Sequence, residues 1–180
     1  RGSRSQTEEY VAKSDIVLRN GTIVTPDGVV KGGIAIRGET IAHVGPDDEL
    51  GDGVRSVDLD GKVVLPGLFD PHTHFGAGGS SMTYEILARD FANETKDCLI
   101  GGVTTFATTT LIGPDIMELH TRAREVGDRE SWIDYKLTSV VLNEKQLDAL
   151  PALTQAGVVD YKFFTGYMGA QAAAFGMGEN

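Results

Sequence analysis

Val63-Val64-Leu65-Pro66-Gly67-Leu68-Phe69-Asp70-Pro71-His72-Thr73-His74 is the stretch on which the reading of the fold turns. Val63 to Phe69 is a short apolar run of the type buried in a parallel sheet, and it runs straight into two histidines one residue apart. The same rhythm recurs downstream. A helix is expected over about 85–100, stopped by Gly101-Gly102, and Val103-Thr104-Thr105-Phe106-Ala107 is β-branched and reads as the next strand. Ile116 to Val126 reads as a helix opened by Pro114-Asp115 and ended by Gly127, and Tyr135 to Leu142 as a strand. Glu144 to Gln155 reads as a helix closed by Gly157, and Val158 to Phe164 as a fourth strand. Strands alternating with helices in units of roughly 30 residues spell βαβ connections of one hand, toward a barrel or a doubly wound sheet. No GxGxxG or Walker loop follows the first strand, which weakens the nucleotide-binding alternative.

Ahead of this series, residues 13–64 read as short strands with tight turns, a small antiparallel β unit. Asn20-Gly21, between Asp15-Ile16-Val17-Leu18 and Thr22-Ile23-Val24, is the strongest two-residue hairpin signal. Arg37-Gly38-Glu39 reads as a second hairpin and Asp60-Gly61 as a third turn. The apolar content is thin for an independent core. Arg1-Gly2-Ser3-Arg4-Ser5 looks vector-derived, so residues 1–12 are set aside as a tag or disordered N-terminus.

Composition is that of a globular protein, with 41% hydrophobic and 23% charged residues among 180. A net charge of −10 without a Lys/Arg-clustered face argues against nucleic acid as a partner. No run approaches the roughly 18 apolar residues that span a bilayer, so no membrane partner is expected. The absence of an apolar leader after the N-terminus gives no sign of secretion. Cys98 is the only cysteine, which rules out an internal disulfide and cysteine-rich zinc sites. It reads as a half-buried free thiol on a helix, in keeping with a reducing, cytoplasmic compartment.

His72 and His74 lie at i and i+2 of an extended segment, so their side chains share one side and can converge on one metal. The end of the first barrel-type strand is where such folds carry their sites. Asp70, held extended by Pro71, is placed to orient one imidazole, as metal-bound histidines need. The competing reading is two loop histidines with no shared partner. Lys162 sits in the otherwise apolar or aromatic strand 158–164. Either it points outward and lays its stem along Tyr161 or Phe163, or it points inward as a reactive amine or an anion contact. His43 reads as structural or exposed, His120 as a surface or helix-packing residue, and Trp132 and the Phe163-Phe164 pair as packing residues and not a substrate cage. Gly76-Ala77-Gly78-Gly79-Ser80-Ser81 reads as either a mobile loop or a plain connection.

Taken together, Leu65-Pro66-Gly67-Leu68-Phe69-Asp70-Pro71-His72-Thr73-His74, Gly101-Gly102-Val103-Thr104-Thr105 and Tyr161-Lys162-Phe163-Phe164-Thr165-Gly166-Tyr167 resemble the amidohydrolase superfamily. Within it they resemble the dihydropyrimidinase/hydantoinase branch of cyclic amidohydrolases, over about residues 14–175. The resemblance implies an α/β fold: the first half of a (β/α)8 TIM-type barrel over 65–180, preceded by part of a small antiparallel β-sandwich domain over 13–64. It implies two divalent metal ions, usually Zn2+, with His72 and His74 on the more buried one. It also implies a Lys162 carboxylated by CO2 that bridges both metals, and a Tyr167 hydroxyl that hydrogen-bonds the substrate carbonyl as charge develops. The reaction implied is cleavage of the amide C–N bond of a small cyclic amide by a metal-bridging hydroxide. Homo-oligomers, commonly tetramers, are usual in that branch.

The branch also needs two further histidines and an aspartate from later strands, and none follows within these 180 residues. Four parallel strands do not close a barrel. The chain is therefore expected to be a portion of a longer protein, the other explanation being a truncated, inactive polypeptide. Phe75 to Glu85 departs from the branch pattern and puts the substrate in doubt. The alternatives are an allantoinase-, dihydroorotase- or acyclic-amide-type hydrolase, or a non-catalytic dihydropyrimidinase-like scaffold protein, which typically lacks the ligand histidines.

Overall fold

The structure, a computed structural model, describes residues 14–78, 81–167 and 169–174 of the chain. The tag-like segment 1–12 and part of the glycine- and serine-rich loop lie outside the described residues. The chain divides into two compact units, Arg1–Pro66 and Gly67–Asn180.

The first unit is one sheet of five strands, β1 (Ser14–Thr25), β2 (Gly28–Arg37), β3 (Thr40–Gly45), β4 (Gly53–Asp58) and β5 (Val63–Val64). Its order is β3-β2-β1-β4, with β5 also on β1. The β2–β3 hairpin turns at Gly38-Glu39, as expected. Asn20-Gly21 does not make the predicted hairpin. β1 runs straight through it, and the register with β2 slips between Leu18 and Gly21. Asn20 adopts φ +57°, its N–H reaches the Asp47 carboxylate at 3.1 Å, and its Nδ2 donates to Asp58 Oδ1 at 2.9 Å. A left-handed residue is what a strand bulge needs as much as a turn does. The reversal falls instead at Pro26-Asp27, where proline presets the turn dihedral. The sheet is also mixed rather than antiparallel, because β4 and β5 run parallel to β1. Asp60-Gly61, at φ +53° and +72°, accordingly shifts the chain along β1 without reversing it. Val17, Ala35 and Leu50 form the small buried core.

The second unit centres on a curled sheet of four parallel strands, β6 (Leu68–Thr73), β9 (Val103–Thr109), β10 (Asp134–Val141) and β11 (Tyr161–Phe163), in the order β11-β10-β9-β6. Between β6 and β9 lie the two-residue strands β7 (Ala77–Gly78) and β8 (Ser81–Met82) and helix α1 (Tyr84–Ile100). Helix α2 (Ile116–Glu130) follows β9. A 3-10 turn (Glu144–Ala149) and helix α3 (Leu150–Gln155) follow β10, and the short helix α4 (Ala170–Ala174) comes after β11. Each strand lies beside the one before it, with no reversal of order. This is the progression of a barrel and not of a doubly wound sheet, whose order switches.

Local chemistry sets the helix limits. Thr83 accepts the Ile86 N–H at 3.2 Å to open α1, and Asp115 accepts the Glu118 N–H at 2.9 Å to open α2. α1 ends at Gly101-Gly102, the latter at φ +88°. Gly127 does not end α2, which continues to Glu130. The glycine is buried against the Tyr135 ring, where a Cβ would overlap the ring carbons. The single Tyr135 hydroxyl hydrogen is then shared between Asp128 Oδ1 at 2.6 Å and the Arg124 carbonyl at 2.9 Å. Glycine at this point is a packing requirement of the facing tyrosine.

Phe75, Leu87, Phe91, Phe106, Ala123, Val126 and Leu137 form the main core between α1, α2 and the sheet. Its three phenylalanine rings sit with centroids 4.8–5.7 Å apart, an arrangement in which each aromatic pair adds about 0.5–1.5 kcal/mol beyond its buried area. Ile116, Val141, Leu153 and Val158 form a second cluster under α3. The run Val63 to Phe69 is not one buried strand. It is split into β5 and β6 across the unit boundary, and Val63, Leu65, Leu68 and Phe69 are all more than half exposed. Leu68 and Phe69 lie on β6, the end strand of its sheet, while Val63 lies on β5 of the first unit and Leu65 between the two strands. No helix among the described residues is long and apolar enough to cross a membrane.

Candidate active site

β6 pairs with β9 as Phe69↔Thr105 and Asp70↔Phe106, then as Thr73↔Thr108. Three residues on β6 therefore span two on β9, a bulge placed at Pro71, which has no N–H to give the ladder. A bulge of one residue reverses which side chains face which way. Asp70 stays beside Phe106 on the helix side, where its charge helps raise the Cys98 thiol of α1, itself pushed up chiefly by burial. Past the bulge, Thr73 and Phe75 take over the helix side. Phe75 is buried in the core and Thr73 pairs with the buried Thr108. His72 and His74 thus face the opposite, helix-free side of the sheet.

There the two imidazoles converge, Nε2 to Nε2 at 2.9 Å, with ring centroids 4.9 Å apart. Two nitrogens bound roughly 2.0–2.1 Å from a tetrahedral zinc stand about 3.4 Å apart, so a small opening of this pair fits one metal edge. Asp70 Oδ1 accepts the backbone N–H of His72 at 3.1 Å and thereby stiffens the bulge.

Lys162 reaches the same face from the far edge of the sheet. Tyr161 turns toward the helices, its hydroxyl 2.7 Å from Thr154 Oγ1, so the next residue points the other way. Lys162 pairs with Val140, and Thr109 pairs with Thr138, so these residues floor the face between Lys162 and the histidines. His74 is held below the ordinary histidine range by burial first, then by the Lys162 charge and by His72. The Lys162 ammonium lies 5.0 Å from the Phe164 ring centroid, and Phe164 stacks on Tyr167 at 4.8 Å with the planes 10° apart. Lys162, Phe164 and Tyr167 form one column beside β11. Among the described residues no three of His, Cys, Asp and Glu are grouped to hold a metal by themselves. The donor set on this face is two imidazoles plus a lysine.

No family model matches the chain. A D-hydantoinase of Ralstonia pickettii is 30% identical over 160 residues, which make up 86% of this chain and 34% of that protein. An allantoinase of Desulfitobacterium hafniense strain Y51 is 31% identical over 158 residues, with the same coverage of both. The crystal structure of dihydropyrimidinase from Brevibacillus agri superposes with a TM-score of 0.72 at 27% identity, covering 86% of this chain and 34% of that one. The chain is a relative of the hydantoinases, matched to their N-terminal part. It spans about a third of the length of the relatives it matches.

In this hydantoinase-like chain the other two histidines have partners of their own. His43 is 3.5 Å from Glu49 Oε2 in the first unit. His120 is buried on α2, with Nδ1 3.4 Å from Ser139 Oγ, so it is a helix-packing residue. Trp132 is not packed away: it is 61% exposed, with Lys96 Nζ 4.7 Å above its ring. Four further residues support the site, of which only Phe164 lies in a motif that the sequence marks. Phe164 joins Lys162 to Tyr167, and Thr109 floors the face. Asp160 holds Lys136 Nζ at 3.2 Å and accepts from Thr138 Oγ1 at 2.7 Å. Asp90, on α1, accepts the Gly76 N–H just after the histidines at 2.9 Å.

Proposed function

We propose that a polypeptide carrying this chain as its N-terminal part hydrolyses the amide C–N bond of small cyclic amides of the hydantoin or dihydropyrimidine type. The observation that carries the reading is the His72–His74 pair, convergent at 2.9 Å on the face that also holds Lys162. In this reading His72 and His74 hold one of two zinc-like ions. Lys162 would supply a further ligand as its carbamate, formed when the neutral amine adds to CO2 and the adduct gives up one N–H proton to solvent. The metals would supply Lewis acidity to the amide carbonyl and a water activated near neutral pH. Tyr167 donates its phenolic hydrogen bond to the carbonyl oxygen as that oxygen gains charge. The stack on Phe164 restrains the ring that must deliver it. The lone Cys98 thiol suits a cytoplasmic setting, and a homo-oligomer, commonly a tetramer in the branch resembled, belongs to the same reading.

Metal analysis of the full-length protein should find close to two zinc-like ions per subunit. Lys162→Ala should abolish loading of the pair and with it hydantoin and dihydrouracil hydrolysis. Normal metal content and activity in that variant would sink the proposal. An allantoinase-type activity is the second reading, supported by the 31% identity to a protein of that name. A panel of hydantoin, dihydrouracil and allantoin separates the two.

A further inference from the structure

Asp90 is a costly residue where it stands. It lies on the buried face of α1 between Leu87 and Phe91, both fully buried, and is itself 8% exposed. A carboxylate there destabilises the fold unless its oxygens are well partnered. Oδ1 takes the Arg89 guanidinium at 3.0 Å. Oδ2 takes the backbone N–H of Gly76 at 2.9 Å. Gly76 is the second residue after His74, at φ +82°, and a Cβ there would come within 2.7 Å of Leu111 Cδ2. The residue between them is held too: Phe75 N–H donates to Thr108 Oγ1 at 2.9 Å, and Thr108 is 1% exposed. On the other flank of His74, Thr73 Oγ1 donates to the Ala107 carbonyl at 3.0 Å. His74 is therefore clamped from both sides by groups that never touch its ring.

We infer that Asp90, assisted by Thr108, is a positioning residue for the metal-binding histidines. Its carboxylate fixes the Phe75-Gly76 turn, and the turn fixes the direction in which His74 leaves β6. The inference rests on the metal reading of His72 and His74 given above. Outer partners that orient metal ligands commonly contribute about ten- to a hundredfold in affinity.

Zinc titration of the 180-residue chain against a chromophoric chelator, below the melting transition of every variant, tests it. Asp90→Ala should weaken zinc binding by about ten- to a hundredfold. Asp90→Asn, which keeps an acceptor oxygen for the Gly76 N–H, should restore most of it. Val126→Ala trims the same core without touching the turn, and should lower the melting temperature while leaving zinc affinity unchanged. Should Asp90→Ala fail to fold, Thr108→Val removes the neighbouring acceptor and should weaken zinc in the same direction. Unchanged zinc affinity in a folded Asp90→Ala, or in Thr108→Val where Asp90→Ala does not fold, overturns the positioning role, provided His72→Ala loses zinc. Zinc affinity unmoved by His72→Ala overturns the metal reading and this inference together.

Discussion

Tyr135 and Gly127 meet where α2 crosses β10, and their fit sets a sharp limit on what either can become. A methyl group at Gly127 enters the space of the Tyr135 ring. Gly127→Ala, favourable in an exposed helix, is therefore expected to lower stability by about 1–3 kcal/mol through overpacking, read from a urea denaturation midpoint. Tyr135→Phe keeps the ring and removes the hydrogen bonds to Asp128 and Arg124, for an expected loss of about 1 kcal/mol. That His72 and His74 share one side was legible in the sequence, because a period of two puts i and i+2 of a strand on the same side, whereas for Lys162 the sequence left both sides open. The side taken by Asp70 was not legible. It depends on the bulge at Pro71, which shows only when β6 is laid against β9. Gly127 was legible as a glycine and misleading as a stop signal, since its cause is a tyrosine on the next strand.

At the scale of elements, α2 rests on β10 through a histidine. Burial, aided by the Arg124 charge, holds His120 below the ordinary value of 6.5, so the folded state binds its proton less tightly than the unfolded chain does. The unfolded chain takes up that proton first. The stability that neutral His120 supports is present above about pH 6.5 and lost as the pH falls from there through the folded-state pKa. Urea midpoints at pH 7.5 and pH 5 should show this slope, and His120→Leu should flatten it. Identical slopes in the two proteins would show that other groups set the acid response. The strand and helix order of the second unit was readable from caps and apolar period, because those signals are local, but of the helix expected over Glu144 to Gln155 only Leu150–Gln155 is α-helical and Glu144–Ala149 is a 3-10 turn. Asn20-Gly21 was not readable as a bulge. The left-handed residue is present, but Asp47 and Asp58, 27 and 38 residues away, decide its use.

Over the whole molecule, the parallel sheet ends among the described residues in two strands with one unpaired edge each, β6 and β11. β6 carries Leu68 at 56% and Phe69 at 54% exposure. Open apolar edges recruit other chains. The 180-residue chain is expected to bind a hydrophobic dye and to elute above its monomer mass, and Phe69→Lys should reduce both. A dye-silent monomer would show that the edge is covered. This exposure was invisible in an apolar run that reads like a core strand, since burial depends on what lies beside it. The Pro71 bulge carries a consequence for how this chain tolerates change. It works as a frame-shift in the alternation of side chains, setting Asp70 on one frame and His72 and His74 on the other. Losing one residue there would turn both imidazoles into the hydrocarbon layer and Phe75 out of it. Point substitutions can tune this site by degrees, whereas a single insertion or deletion at Pro71 erases it at once.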